Sequence, residues 1–268
     1  MALDEFPYVE TAKLFLGAHP DDVEVTCGGL IKRTLDLGFP VWYLCATNGA
    51  PSDLTYYPRY NCDSPMSYAQ MRREELIQAA GILGIEEDKI HLSNVDDQRL
   101  AWHVEEFVNN VTELIEKQKP EVIFCPAFEG GHPDHDSLHL ITHLSREKSS
   151  IKPLVVEYPE YNYYSGSKNF SRFIPNKQEV YIFNLFPEES SKKGQAFNAF
   201  ASQQKYIMPF LESGIMGREL FRLSDFPKRI QFPHPRPLYY ETVNIKVNPR
   251  EVLENLTKFL SGQNETQN

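Results

Sequence analysis

The chain is predicted to be an α/β protein built on a mostly parallel sheet with helices on both faces. Two observations predict this. Short apolar runs at Lys13–Leu16, Pro40–Thr47 and Val122–Cys125 alternate with longer segments of helical spacing, the pattern of successive βα units. Two of these runs lead directly into loops rich in histidine and aspartate, Gly17-Ala18-His19-Pro20-Asp21-Asp22-Val23-Glu24 and Gly130-Gly131-His132-Pro133-Asp134-His135. Open α/β sheets of the Rossmann type bind their ligands at the carboxyl ends of the strands, so a metal site is expected there.

Residues 13–18 read as the first strand and 25–37 as the helix after it, with Leu30, Ile31, Leu35 and Leu37 as apolar positions and Gly38 as the stop. Cys27-Gly28-Gly29 near its start permits close backbone approach, either for packing or for substrate contact. A second strand is expected over 40–47, ending at Asn48-Gly49. Residues 50–67 form a long polar loop in which Tyr56, Tyr57 and Tyr60 either pack or stack on a ligand. A helix over 69–84 presents Leu76, Ala79, Ala80 and Leu83 inward, and carries Arg72 near its amino end. An arginine there is poorly placed for the helix dipole, so either the site or an i, i+3 pair with Glu75 is expected to favour it.

Residues 89–92 read as the third strand, 104–116 as a helix and 122–125 as a buried strand. The segment 136–144 is helical, with His139 and His143 read as packing residues. Strands are expected over 154–158 and 180–183, a largely helical stretch over 190–211, a strand over 239–243 and a terminal helix over 249–260. A disordered tail is expected around Asn264-Glu265-Thr266-Gln267. No repeat or linker divides the 268 residues, and one domain is expected across 1–268.

Composition excludes several classes. The net charge of −10 argues against nucleic acid or an anionic membrane as the main partner. No apolar run approaches the roughly 18 residues needed to span a bilayer. Met1-Ala2-Leu3-Asp4-Glu5 lacks the pattern of a signal peptide, and Cys27, Cys45, Cys62 and Cys125 show no paired spacing, so a cytoplasmic protein with free thiols is expected.

Neutral imidazole and carboxylate oxygen are good ligands for a divalent ion such as zinc, and a neighbouring carboxylate is then free for proton transfer. The two histidine loops together can complete a three-ligand site with an open position. In this order they resemble the LmbE-like/PIG-L family of zinc-dependent deacetylases acting on N-acetylglucosamine-type sugars. Arg72-Arg73-Glu74-Glu75 with Ala79 and Leu83-Gly84, and Lys193 with Ser202-Gln203, are similar to further family features. The resemblance spans roughly residues 12–210 and leaves 211–268 as a variable region.

The resemblance implies zinc on His19, Asp22 and His135, with Asp21 as general base. It implies a protonated His132, oriented by Asp134, stabilising the oxyanion. Substrate contacts are expected from Arg72, Asn48 and Asp97, although the glycine usual beside the last is absent here. Glu24 is read as a helix-start carboxylate. The implied partner is a small N-acetylated sugar, and several members associate into homo-oligomers; Tyr161, Tyr163, Tyr164 and Phe170 are read as either a pocket wall or such a subunit contact. A phosphoesterase using two ions and a non-catalytic sugar-binding module are the competing readings; metal content combined with amide hydrolysis separates them.

Overall fold

The computed structural model of the chain describes residues 6–52, 57–226, 229–243 and 245–264. Five βα-type strands come first: β1 (Lys13–Gly17), β2 (Val41–Cys45), β3 (Ile90–Leu92), β4 (Val122–Pro126) and β5 (Leu154–Tyr158). A short hairpin of β6 (Tyr161–Asn162) and β7 (Asn169–Phe170) follows, then β8 (Tyr181–Asn184) and β9 (Arg218–Leu223). The helices are α1 (Asp22–Asp36), α2 (Pro65–Leu83), α3 (Val104–Gln118), α4 (Pro133–Lys148), α5 (Pro187–Ala199), α6 (Gln204–Leu211) and α7 (Pro249–Asn264).

The main sheet runs β3-β2-β1-β4-β5-β9-β8. Its first five strands are parallel, and β9 runs antiparallel to both of its neighbours, β5 and β8. The chain winds one way from β1 to β3 and returns through β4, so the order reverses between β1 and β4. That reversal opens the crevice in which such sheets bind ligands. Both histidine loops leave the strands that flank it.

A strand covered on both faces must be apolar on both, and β1 is completely buried. Phe15 joins one core with α1, α2 and α5, while Leu14 and Leu16 join the other with α3, α4 and α7. β4 alternates in the same way, with Phe124 in the first core and Ile123 in the second. Among the described residues no helix is long and apolar enough to cross a membrane.

Several boundaries differ from the sequence expectation. α1 begins at Asp22 because Asp22 and Glu24 fill its acidic first turn. α2 begins at Pro65, where Ser64 and Ser67 form a reciprocal cap, so Arg72 lies two turns into the helix and the dipole argument does not apply to it. α4 begins at Pro133, with His132 as its cap, so Asp134 and His135 project from its first turn. The stretch 190–211 is two helices broken at Phe200. The strand expected over 239–243 is a 3-10 turn at Tyr239–Glu241, held by Thr242 N–H donating to Tyr239 O at 2.8 Å. Tyr56 and residues 265–267 lie outside the described residues.

β9 was not expected. Two of its charged residues are buried: Glu219 is fully enclosed and Arg222 pairs with Glu157. Lys193 of α5 donates to Glu219 at 2.6 Å, and the same carboxylate accepts from the Gly29 and Leu30 amides at 2.7 and 2.9 Å. This clamps α1 against α5 and β9. A Cβ on Gly29 would come within 2.3 Å of Leu185 Cδ2, so Gly28-Gly29 serves packing and does not line the ligand cavity. Breaking a buried pair by removing one partner costs about 3–5 kcal/mol. Lys193→Met is therefore expected to lower the urea midpoint markedly; an unchanged midpoint would show the pair is dispensable.

Candidate active site and metal centre

After β1 the chain turns at His19-Pro20 and enters α1. Asp22 at the helix start accepts from the Ala18 and His19 amides at 2.8 and 2.9 Å, folding its carboxylate back against its own loop. After β4, the loop 129–131 is gathered by Asp136, which accepts from the Glu129 and Gly130 amides at 3.1 Å each. α4 then starts with His135 facing the first loop.

Three atoms converge. His19 Nδ1 lies 3.1 Å from His135 Nε2 and 3.6 Å from Asp22 Oδ2, and His135 Nε2 lies 3.4 Å from Asp22 Oδ2. Metal–ligand lengths of about 2.0–2.1 Å in a tetrahedral site imply ligand separations of roughly 3.3 Å, so this triangle fits an ion such as zinc without rearrangement. The rest of the His19 ring supports that role. Its Nε2 lies 3.1 Å from Asp97 Oδ1 and 3.3 Å from Asp134 Oδ2, carboxylates that favour a proton on Nε2 and a lone pair on Nδ1.

Burial opposes charge on His19, but Asp97 and Asp22 overcome it and raise its pKa well above the usual value. Burial likewise opposes ionisation of Asp22, but His135 and His19 hold its pKa well below the ordinary range. The bare site thus favours a proton among these ligands, and metal loading is expected to release it.

His19, Asp97, His132 and Asp134 form a second convergent group. It is a poor second metal site. His19 would have to bridge two ions through both nitrogens, Nδ1 toward His135 and Nε2 toward Asp97 and Asp134.

Asp21 is buried beside the triangle and carries an ion pair with Arg72 Nη2 at 3.3 Å. Burial pushes its carboxyl up to about 7, against the downward pull of Arg72. Arg72 is itself buried and donates to Pro20 O and Gly49 O at 3.0 and 3.3 Å. Gly49 has φ 68, and a Cβ there would meet the guanidinium carbon at 3.0 Å. The alternative, an Arg72–Glu75 surface pair, is not seen among the described residues: Glu75 is buried and accepts from the Ser202 amide and hydroxyl at 2.8 and 2.6 Å.

His132 departs from expectation in two ways. Its Nδ1 accepts from the Asp134 amide at 3.2 Å, while the Asp134 carboxylate stands 3.8 Å away; the carboxylate nearest its Nε2 is Asp97, at 3.4 Å. Burial, with the charge on His19, holds its pKa well below the usual value, so the ring stands neutral with its proton on Nε2. Asn48 is absent from the cavity lining. It donates to Asp96 at 3.0 Å and accepts from the Ala50 amide at 2.8 Å, bracing two loops.

His19, Asp21, Asp22, Arg72, Asp97 and His132 line a cavity of about 940 Å³. Its aromatic walls include Trp102, Tyr161, Phe170, Phe210 and Tyr239. Of the tyrosines in the polar loop, Tyr57 is buried against Tyr68 and lines no part of the cavity. Glu160 also lines the cavity; it is 5% exposed, with burial raising its pKa well above the usual value. Sequence reasoning missed Glu160, whose only signal is its place directly after β5, at the same sheet edge.

Residues 14–144 match the PIG-L family, described as GlcNAc-PI de-N-acetylase. That stretch, slightly under half of the chain, resembles the family. That match spans β1 to α4 and includes both histidine loops. The diacetylchitobiose deacetylase of Thermococcus kodakarensis is 32% identical over 137 residues, covering 48% of this chain and 47% of that protein. The 1D-myo-inositol 2-acetamido-2-deoxy-alpha-D-glucopyranoside deacetylase of Thermomonospora curvata is 27% identical over 156 residues, covering 50% and 52%. The chain thus spans about half the length of the curated relatives it matches. In fold, the chain is similar to a deacetylase of the teicoplanin biosynthesis pathway, with TM-score 0.66 at 16% identity over 81% of this chain and 100% of that one.

Proposed function

We propose that the protein is a zinc-dependent hydrolase that removes the acetyl group from an N-acetylated amino sugar or a small conjugate of one. One observation carries this reading: a three-atom ligand triangle with separations of 3.1–3.6 Å stands beside a buried carboxylate, Asp21, whose pKa is about 7. The relatives named above act on acetamido sugars, which supports the substrate class.

His19, Asp22 and His135 are assigned the metal. A divalent ion held there supplies Lewis acidity to the amide carbonyl and to the attacking water. Asp21 accepts the proton of that water as its oxygen bonds to the carbonyl carbon. The His132 Nε2–H faces the forming oxyanion as a neutral donor, with Asp97 and the Asp134 amide setting the ring's tautomer and tilt. The C–N bond breaks as Asp21 returns its proton to the amine, releasing acetate and a free amino sugar. A group with pKa close to ambient pH both takes and gives a proton readily. Arg72 positions Asp21 by charge and, through Gly49, fixes the wall of the pocket.

The sign of the pH dependence follows. Asp21 is the base only when ionised, so kcat/KM is expected to rise as pH increases through about 7. Arg72 lowers the pKa of Asp21, so Arg72→Ala is expected to move that limb to higher pH. A pH–rate profile of both proteins checks this, and an unshifted limb would remove Arg72 from the assignment. Release of primary amine from a panel of N-acetylated sugars tests the activity itself. Phosphate release instead would favour the phosphoesterase.

A further inference from the structure

Resting on the deacetylase reading, we propose that Gln203 is a specificity-determining residue whose side-chain carbonyl accepts a hydrogen bond from one ring hydroxyl of the sugar. Gln203 stands at the break between α5 and α6 and lines the same cavity as the ligand triangle. The chemistry derived above gives it no part. A glutamine amide carries two donor hydrogens on its nitrogen and an acceptor oxygen, and its partners fix which end points where.

Ser202 settles the orientation. Its hydroxyl gives its single proton to Glu75 at 2.6 Å, so toward Gln203, 2.8 Å away, it can only accept. The Gln203 atom facing it is therefore the nitrogen. The other hydrogen of that nitrogen goes to the Tyr68 hydroxyl at 2.8 Å. Both donors are thus spent inside the protein, whereas Oε1 takes no hydrogen bond among the described residues and is not enclosed by them. The side chain is only 4% exposed and belongs to the lining, so the oxygen opens into the cavity.

The acceptor is held on the scaffold that holds the base. Buried Tyr68 hydrogen-bonds Arg72, and Arg72 pairs with Asp21 at 3.3 Å. Ile207 and Phe210, four and seven residues on, lie on the same side of α6 and line the cavity beside it. The Phe210 ring stands edge-on to Phe170 at 5.3 Å and to Tyr161 at 6.2 Å, so a fixed acceptor borders an aromatic wall. A sugar ring shows C–H groups on its faces and hydroxyls at its rim; the wall suits the face and Gln203 the rim. In a mostly apolar pocket a few placed polar groups fix a ligand's orientation. A sugar lacking the matching hydroxyl would leave Oε1 desolvated and unpaired, which a site built to pair it rejects.

The test removes each side of the contact in turn. Zinc-loaded Asp21→Asn protein, with and without Gln203→Leu, is titrated by calorimetry with N-acetylglucosamine and its 3-deoxy, 4-deoxy and 6-deoxy analogues. With Gln203 in place, one analogue is expected to bind about tenfold more weakly than the parent sugar, and its identity names the hydroxyl. With Gln203→Leu, that analogue and the parent are expected to bind alike, because the acceptor is already gone. Gln203→Met serves if leucine disturbs folding. A glutamine that merely props Tyr68 and Arg72 gives another pattern: the substitution weakens the parent and all three analogues by the same factor, and that result overturns the proposal. So does a protein that binds all four sugars equally well. Values of kcat/KM for amine release from the same sugars keep the two readings apart. Amine release without discrimination among them overturns this inference alone, whereas neither binding nor amine release from any N-acetylated sugar overturns the deacetylase reading and this inference with it.

Discussion

Asp21→Asn is expected to lower kcat by about 10²–10⁴-fold, the usual range for removing a general base, while zinc content stays at the level of the unmodified protein. The argument rests on division of labour between adjacent carboxylates. Asp22 faces His19 and His135 and is held ionised by them; Asp21 faces Arg72 and is held near neutrality by burial. Asparagine preserves the shape and can still accept from Arg72, so the ligand triangle keeps its geometry. It cannot take a proton. Metal analysis beside single-turnover rates on the same preparation checks both halves, and loss of metal in this variant would place Asp21 among the ligands.

His135→Ala should remove both metal and activity. It deletes one of three ligand atoms and leaves His19 Nδ1 and Asp22 Oδ2, 3.6 Å apart, as an incomplete pair. Because His135 projects from the first turn of α4, whose remaining buried residues stay in place, the fold is expected to survive. Zinc titration with a chromogenic competitor should show affinity falling beyond the 10–100-fold typical of changes to groups that merely support ligands. A smaller loss would mean that the ion sits elsewhere, with the group of His19, Asp97, His132 and Asp134 as the alternative.

Both ligand-bearing loops were legible in the sequence for a physical reason. Each concentrates its chemistry in six or so contiguous residues after a buried strand, and parallel topology alone brings the ends of β1 and β4 together. The partners of those residues were harder to read. Asp134 looked like the carboxylate for His132, since they are two residues apart, but the helix begins between them and turns the carboxylate toward the 98–100 loop and His19. Asp97 takes its place from a loop whose sequence departs from the family pattern.

The walls were legible only in part: Tyr161 and Phe170, read as pocket wall or interface, line the cavity, whereas Trp102, Phe210 and Tyr239 were not singled out as wall residues. Tyr239-Tyr240-Glu241-Thr242-Val243 has strand propensity, yet the Tyr239 amide donates to Gly130 O at 2.9 Å and the segment closes as a turn over the second histidine loop. β9 was missed because nothing in its own six residues shows that Lys193 and Glu157 pair Glu219 and Arg222 inside the protein. Tertiary partners decide such segments, and local pattern carries no record of them.

The central claim is that the ligand triangle holds a catalytic metal. The most direct test is metal analysis of the purified protein coupled to amine release from N-acetylated sugars, before chelation, after it, and after zinc is restored. The predicted result is about one ion per chain, as a single three-ligand site requires, with release that stops on chelation and returns with zinc. Protein that binds no metal under any of these conditions, or that releases amine equally well after chelation, would contradict the account.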